Sequence, residues 1–315
     1  MGATRRTGII DHDGESIYYE LVHCDSAAGD LAGRGEGSAR DEPHVEPREP
    51  RDASQASLGA TERDHVTSEL VVLSHGLGGN HASWYQQVGP LMAAGYDVLT
   101  WDQRGFGGSS RRTGVIGPVP AVGDLLALLD QLNVERCHLV GQSMGGWTAM
   151  GFAVAHQVRL ASLVLTDTLA GVMTDGLRDA LSSRSGAGRA AVADGAVSDH
   201  PALGERFCRE HPERALLYQE LAGFGDKPDD ADVLALLAST WYDLDAINLL
   251  TLPVLAVVGA NDQLCPPAAM EAVVAAVPGA RLAVVDGAGH SPYFEAPDEW
   301  NRTVIGFLGT VGGHN

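Results

Sequence analysis

Ser143 lies between two glycines in the run Gly141-Gln142-Ser143-Met144-Gly145, and what flanks that run decides what the serine can do. Cys137-His138-Leu139-Val140 is a short apolar stretch of strand type, and residues 146–155 read as a buried helix. A serine on so tight a strand-to-helix turn needs small residues two positions before and after it. The turn lifts the hydroxyl out of the sheet, with a helix N-terminus behind it. That is a nucleophile's position. The pentapeptide alone also fits a glycine-rich turn carrying an ordinary exposed serine, so the rest of the chain has to choose.

Three other loops carry the residue types that acyl transfer requires. His75-Gly76-Leu77-Gly78-Gly79 follows an apolar strand, and its glycines let backbone N–H groups approach a substrate. Gly259-Ala260-Asn261-Asp262 ends a second strand and Gly287-Ala288-Gly289-His290 follows a third. Serine, carboxylate, histidine is the chain order of a triad on a parallel α/β architecture. A serine hydroxyl is a poor nucleophile at neutral pH, so His290 would take its proton during attack and return it to the leaving group. Asp262 would fix the imidazole tautomer and stabilise the imidazolium. The N–H groups of Leu77 and Met144 are best placed for an oxyanion hole, where one lost donor costs about 3 kcal/mol of transition-state stabilisation.

Each assignment has a plainer competitor. Asp262 precedes Pro266-Pro267 and a helix, so it could be a cap; Asp167, also just after a strand, is the alternative acid. His75, Gly76 and Gly78 are assigned to shaping their loop, not to proton transfer.

The elements that would position these residues follow from periodicity. Residues 7–10 and 16–22 flank the turn cluster Asp11-His12-Asp13-Gly14 and predict an opening hairpin. Strands are expected at Leu70–Ser74, Asp97–Trp101, 137–140, Leu160–Thr166, 253–258 and Arg281–Val285. Helices are expected near 84–94, 122–132, 146–155, 268–276 and 300–308. Continuous apolar strands alternating with helices mean a parallel sheet covered on both faces. Two stretches break the rhythm. Residues 25–68 are rich in Gly, Ala, Ser, Pro, Glu and Arg with almost no bulky apolar residue, which predicts a flexible acidic insertion. Residues 169–248 are helical in pattern and carry Phe207, Tyr218, Phe224, Trp241 and Tyr242, which predicts a helical cap over the strand ends where open α/β sheets bind ligands. The expected organisation is therefore a hairpin over 1–24, the insertion over 25–68, core over 69–167, cap over 168–249 and core over 250–315.

Composition narrows the partners. The 315 residues are 44% hydrophobic, which allows a sizeable core, and no run of about 18 apolar residues exists to cross a membrane. The formal net charge of -20 opposes nucleic acid or an anionic membrane as partner. Four cysteines and twelve histidines show no metal-ligand spacing, so neither metal nor cofactor is expected. Met1-Gly2-Ala3-Thr4-Arg5-Arg6 has no apolar stretch behind its arginines, which points to a cytoplasmic protein.

These pieces together resemble the α/β-hydrolase superfamily, in its cap-bearing branch of small serine esterases, lactonases and cofactor-free perhydrolases. The matching residues are His75-Gly76-Leu77-Gly78-Gly79-Asn80, Trp101-Asp102-Gln103-Arg104-Gly105-Phe106-Gly107-Gly108-Ser109, Val140 to Gly146, Gly259 to Asp262 and Gly289-His290-Ser291-Pro292. The resemblance implies an α/β-hydrolase fold with a mostly parallel sheet of about eight strands, flanking helices and a helical cap. It implies structural roles for Asp102 and Arg104, which brace loops around the sheet. The 25–68 insertion departs from the family pattern. The expected activity is cleavage of a small ester or lactone through an acyl-enzyme, with a small acyl compound as partner and a homodimer as an option. Alternatives on the same residues are carbon–carbon hydrolysis of ring-cleavage diketones, perhydrolysis and hydroxynitrile cleavage. The carbon–carbon hydrolases share the Ser-Met-Gly-Gly elbow but often place Trp after the histidine, where this chain has Ser291. A ligand receptor with a slow triad is the alternative of another class.

Overall fold

The computed structural model describes residues 3–24, 69–182 and 200–311; the insertion expected over 25–68 lies outside them. Strands β1 (Ala3–His12) and β2 (Glu15–Cys24) form the opening hairpin. Its two-residue loop, Asp13-Gly14, has φ of 47° and 78°, the mirror-image turn whose twist matches paired strands. There follow β3 (Leu70–Ser74), α1 (Tyr85–Ala93), β4 (Asp97–Trp101), α2 (Pro118–Gln131), β5 (Cys137–Gln142), α3 (Met144–His156) and β6 (Leu160–Thr166). Five helices come next: α4 (Asp175–Ser182), α5 (Glu205–Glu210), α6 (Pro212–Ala222), α7 (Asp230–Ser239) and α8 (Leu244–Asn248). The chain closes with β7 (Val254–Gly259), α9 (Pro267–Ala276), β8 (Arg281–Val285), α10 (Pro292–Glu295) and α11 (Pro297–Val311).

The eight strands form one sheet in the order β1-β2-β4-β3-β5-β6-β7-β8. β1 and β2 pair antiparallel with each other, β2 pairs antiparallel with β4, and all later pairings are parallel. β4 lies on one side of β3 and β5 on the other, so the loops leaving β3 and β5 diverge. A crevice opens at such a reversal of strand order. His75 follows β3 on one side of this reversal and Ser143 follows β5 on the other.

Strand residues alternate between two cores because side chains alternate across a sheet. Val72, Leu139, Leu163, Leu165 and Ala256 join the larger cluster with α2, α3 and α9, through residues such as Leu125, Met150 and Val273. Val71, Leu73, Val140, Val164 and Val257 join the other with α1 and α11, around Leu91, Trp300 and Leu308. β3, β4, β5 and β7 are buried along their whole length, which is why they read as unbroken apolar runs.

The described residues between β6 and β7 contain no named strand. They do not form one separate layer. Leu177 of α4 and Ile247 of α8 belong to the larger core, Phe207 of α5 and Ala215 of α6 to the second. Val233 and Leu237 of α7 form a third cluster with Phe106, Met144 and Trp147. α7 thus lies against the start of α3.

Candidate active site

The elbow is built from close contacts that only glycine permits. A Cβ on Gly141 would lie 2.5 Å from the Gly145 carbonyl oxygen, and one on Gly145 would run into the Ser74 carbonyl oxygen. Ser143 itself has φ 47° and ψ -116°, a sparsely populated conformation for a residue with a side chain. Its neighbours hold it there. The Ser143 N–H donates to Thr166 O at 3.0 Å, while the Ser143 carbonyl accepts from Gly146 N–H at 2.9 Å and from the Thr168 hydroxyl at 2.7 Å.

At this turn the structure brings together three of the residues singled out in the sequence. His290 Nε2 lies 2.9 Å from Ser143 Oγ, and His290 Nδ1 lies 2.8 Å from Asp262 Oδ2. Asp262 has no exposed side-chain surface and His290 only 7%. The other Asp262 oxygen accepts the N–H groups of Leu264 at 2.8 Å and Cys265 at 2.9 Å, so the aspartate also performs the turn-capping role that competed with its catalytic one. Burial pushes its carboxyl up, but the charge and hydrogen bond of His290, with the Cys265 N–H, bring it below the usual carboxylate range. With Asp262 ionised, the Nδ1 proton points at it, and Nε2 is left to accept from the serine hydroxyl. Asp167 stands beside Asp262, not beside the serine. Together with His290 these two acids are the buried group of donors that could also be considered for a metal. Here both ring nitrogens of His290 are already engaged, by Ser143 and Asp262, an arrangement that could pass a proton.

The β3 loop packs directly on the elbow, since a Cβ on Gly76 would collide with Gln142 Oε1. Gly78 sits at φ 77° with open space around its Cα. His75 is buried and fully occupied: Nδ1 is 2.8 Å from Gly76 O, and Nε2 accepts the Gln103 N–H at 3.1 Å. Burial pulls its basicity down, and it faces no reacting group. None of the hydrogen bonds between described residues uses the N–H of Leu77 or of Met144, which is the first residue of α3. Asp102 accepts His81 N–H at 2.6 Å and Gly108 N–H at 2.7 Å, and Arg104 grips Asp124 through two hydrogen bonds, so both brace loops.

Four residues around the site have contacts for which the sequence carries no signal. Gln142 donates through Nε2 to His290 O at 3.1 Å; a polar side chain ending a buried strand must find such a partner. Glu295 accepts the N–H groups of Gly289 and Gly204, both at 2.9 Å, and of Ser291 at 3.1 Å, and so fastens the backbone on both sides of His290 to the start of α5. Tyr218 Oη is 3.0 Å from Ser291 Oγ. Asn80 Nδ2 donates to Leu221 O at 2.7 Å, tying the β3 loop to the end of α6. Of the aromatic residues between β6 and β7, Phe207 is buried, Tyr242 donates to Trp147 O, and Phe224 is 74% exposed.

Sheet, elbow and hydrogen-bonded side chains define an enzyme class, and comparison with known proteins agrees. A family model described as the alpha/beta hydrolase fold matches residues 69–297, and the chain belongs to that family. It is 31% identical over 250 residues to "Putative carbamate hydrolase RutD" of Variovorax paradoxus, covering 77% of this chain and 92% of the relative. It is 28% identical to a 2-hydroxy-6-oxononadienedioate/2-hydroxy-6-oxononatrienedioate hydrolase of Cupriavidus pinatubonensis, over 77% of this chain and 87% of that protein. Among solved structures, a thermophilic esterase from Thermogutta terrifontis superposes with a TM-score of 0.66 at 27% identity, covering 77% of this chain and 90% of that one. These relatives support a hydrolase.

Proposed function

We propose that the protein is a cofactor-independent serine hydrolase that cleaves a small ester or lactone through an acyl-enzyme. The observation that carries this reading is the unbroken line from Asp262 through His290 to Ser143, with separations of 2.8 and 2.9 Å. In the first half-reaction Ser143 Oγ attacks the acyl carbon as its proton passes to His290 Nε2. Asp262 holds the resulting imidazolium. The tetrahedral oxyanion accepts the N–H groups of Leu77 and Met144, and the helix start at Met144 favours the negative charge. His290 then protonates the leaving oxygen, the serine ester remains, and a water activated by the same imidazole releases the acid.

The apolar cluster of Phe106, Met144, Trp147, Val233 and Leu237 supports an acyl group with an apolar portion beside the oxyanion donors. A second reading on the same residues is carbon–carbon hydrolysis, favoured by the relative from Cupriavidus pinatubonensis. A panel of short acyl p-nitrophenyl esters, lactones and vinylogous diketones separates the two. Ester turnover should show a burst of p-nitrophenolate with a stoichiometry near one per chain, absent in Ser143→Ala. Turnover of diketones alone would reverse the order of the two readings. Ester hydrolysis that persists in Ser143→Ala would remove the acyl-enzyme altogether.

A further inference from the structure

A second carboxyl group, Asp167, lies against Asp262 and has no part in the reaction just described. Asp167 follows β6 and Asp262 follows β7, so two neighbouring parallel strands deliver both acids to one edge of the sheet. Both are buried, at 0% and 3% exposure. One oxygen of each and a ring nitrogen of His290 all lie within 4.8 Å of one another. Two ionised carboxylates have only acceptors to offer each other, so a hydrogen bond between these acids needs one proton. Two buried like charges at such range would also repel strongly.

The partners decide which acid keeps the proton. Asp262 accepts three N–H groups, from Leu264, Cys265 and the His290 ring, and its counter-charge appears on that ring during the reaction. Asp167 faces neutral groups: the Gly259 N–H at 2.9 Å from β7, and the Thr166 hydroxyl at 2.8 Å from β6, itself 3.3 Å from the Trp300 indole of α11. Among the described residues, the phenols of Tyr218 and Tyr293, on α6 and α10, also lie within electrostatic reach of Asp167. Negative charge is therefore better served on Asp262.

We propose that Asp167 is the proton-bearing member of this pair, a positioning residue that donates to Asp262 and turns its carboxylate toward His290 Nδ1. Burial, followed by the charge of Asp262, carries the Asp167 carboxyl well above the usual carboxylate range, in agreement. The arrangement has a second consequence. The proton on Asp167 leaves one buried anion, and not two, facing the His290 ring.

This inference rests on the serine-hydrolase reading for its kinetic part but not for its spectroscopic part. Difference infrared spectra of the whole protein at neutral pH should show the carbonyl stretch of a protonated carboxylic acid that disappears in Asp167→Asn. No such band, or a band that survives the substitution, overturns the proposal whatever the protein hydrolyses. Asp167 has φ 49°, a conformation that Asn also tolerates, and the amide keeps both a donor and an acceptor. Asp167→Ala should lower kcat by about tenfold or more with little change in KM, and Asp167→Asn should restore most of the loss. The acid limb of the kcat/KM profile should stay in place in Asp167→Asn, since no charge is removed. A downward shift of that limb, or a loss in Asp167→Asn as large as in Asp262→Asn, would mean that Asp167 works as an anion. Should the alanine variant fail to fold, the infrared band and the asparagine profile still decide.

Discussion

At the scale of single residues the account rests on the division of work between Ser143, His290 and Asp262. Residues that act as a unit show strongly non-additive losses, so His290→Ala should lower kcat/KM on an activated ester by about 10^4-fold or more. The double variant with Ser143→Ala should be scarcely worse. Circular dichroism should be unchanged in both. Asp262→Asn leaves Oδ1 free to accept from Leu264 and Cys265 but presents an amide to His290 Nδ1, which favours the wrong tautomer. Its expected cost is on the order of 10^3 to 10^4-fold in kcat. A nearly silent Asp262→Asn would move the acid elsewhere. The meeting of Ser143 with His290 was legible in the sequence because glycines punctuate both loops. The geometry at Asp262 was only half legible, since an aspartate after a strand caps turns and holds histidines with the same two oxygens, and here it does both. Glu295 and Gln142 were not legible at all: each is defined by backbone N–H or C=O groups brought in from distant loops.

At the scale of elements, parallel strands were read most accurately. Leu70–Ser74, Asp97–Trp101, Leu160–Thr166 and Arg281–Val285 begin and end where the apolar runs do, because their ladders are buried or bounded by turns. Three helix starts that carry proline were read late. α2 begins at Pro118, α9 at Pro267 and α11 at Pro297, ahead of the first regularly spaced apolar residue, since proline in a first turn gives up no intrahelical hydrogen bond. The hairpin was read short because β1 is an edge strand with most positions exposed, so its pairing is set by backbone and not by an apolar pattern. Glu15 ties the turn of that hairpin to the loop after β4. The Glu15 carboxylate accepts the hydroxyls of Ser110 and Thr113 and the N–H groups of Arg112 and Thr113. Burial opposes its ionisation, yet those four donors hold its carboxyl down at about 2. A carboxyl depressed on folding stabilises the protein above its ordinary range and loses that contribution as the pH falls through its folded value. Glu15→Gln should therefore lower Tm at pH 7, and the gap to wild type should narrow below about pH 4 and close toward about pH 2. An equal gap at every pH would show that shape, not charge, makes the contact.

At the scale of the molecule, the sheet and its cores carry the site, and the helices between β6 and β7 are tied to the loops around it. The helices between β6 and β7 are fastened by Asn80 at Leu221, by Tyr218 at Ser291 and by Glu295 at Gly204, all on the side of α5 and α6. α7 is held to the start of α3 chiefly by the apolar contacts of Val233 and Leu237. Leu237→Ala should accordingly change KM for esters of different acyl length more than it changes Tm. Equal effects on every ester would place α7 outside the acyl site. Among the described residues no helix is long and apolar enough to cross a membrane. Joining residues 26 and 67 directly should leave turnover of a small ester nearly unchanged, and a large loss would make the intervening segment part of the function. The whole chain also supplies the most direct assay of the central claim, because its many serines compete for one reagent. Intact protein treated with a fluorophosphonate and mapped by mass spectrometry should carry a single adduct on Ser143, at a rate that falls sharply in His290→Ala. An adduct on another serine, or labelling of Ser143 that is indifferent to His290, would contradict it.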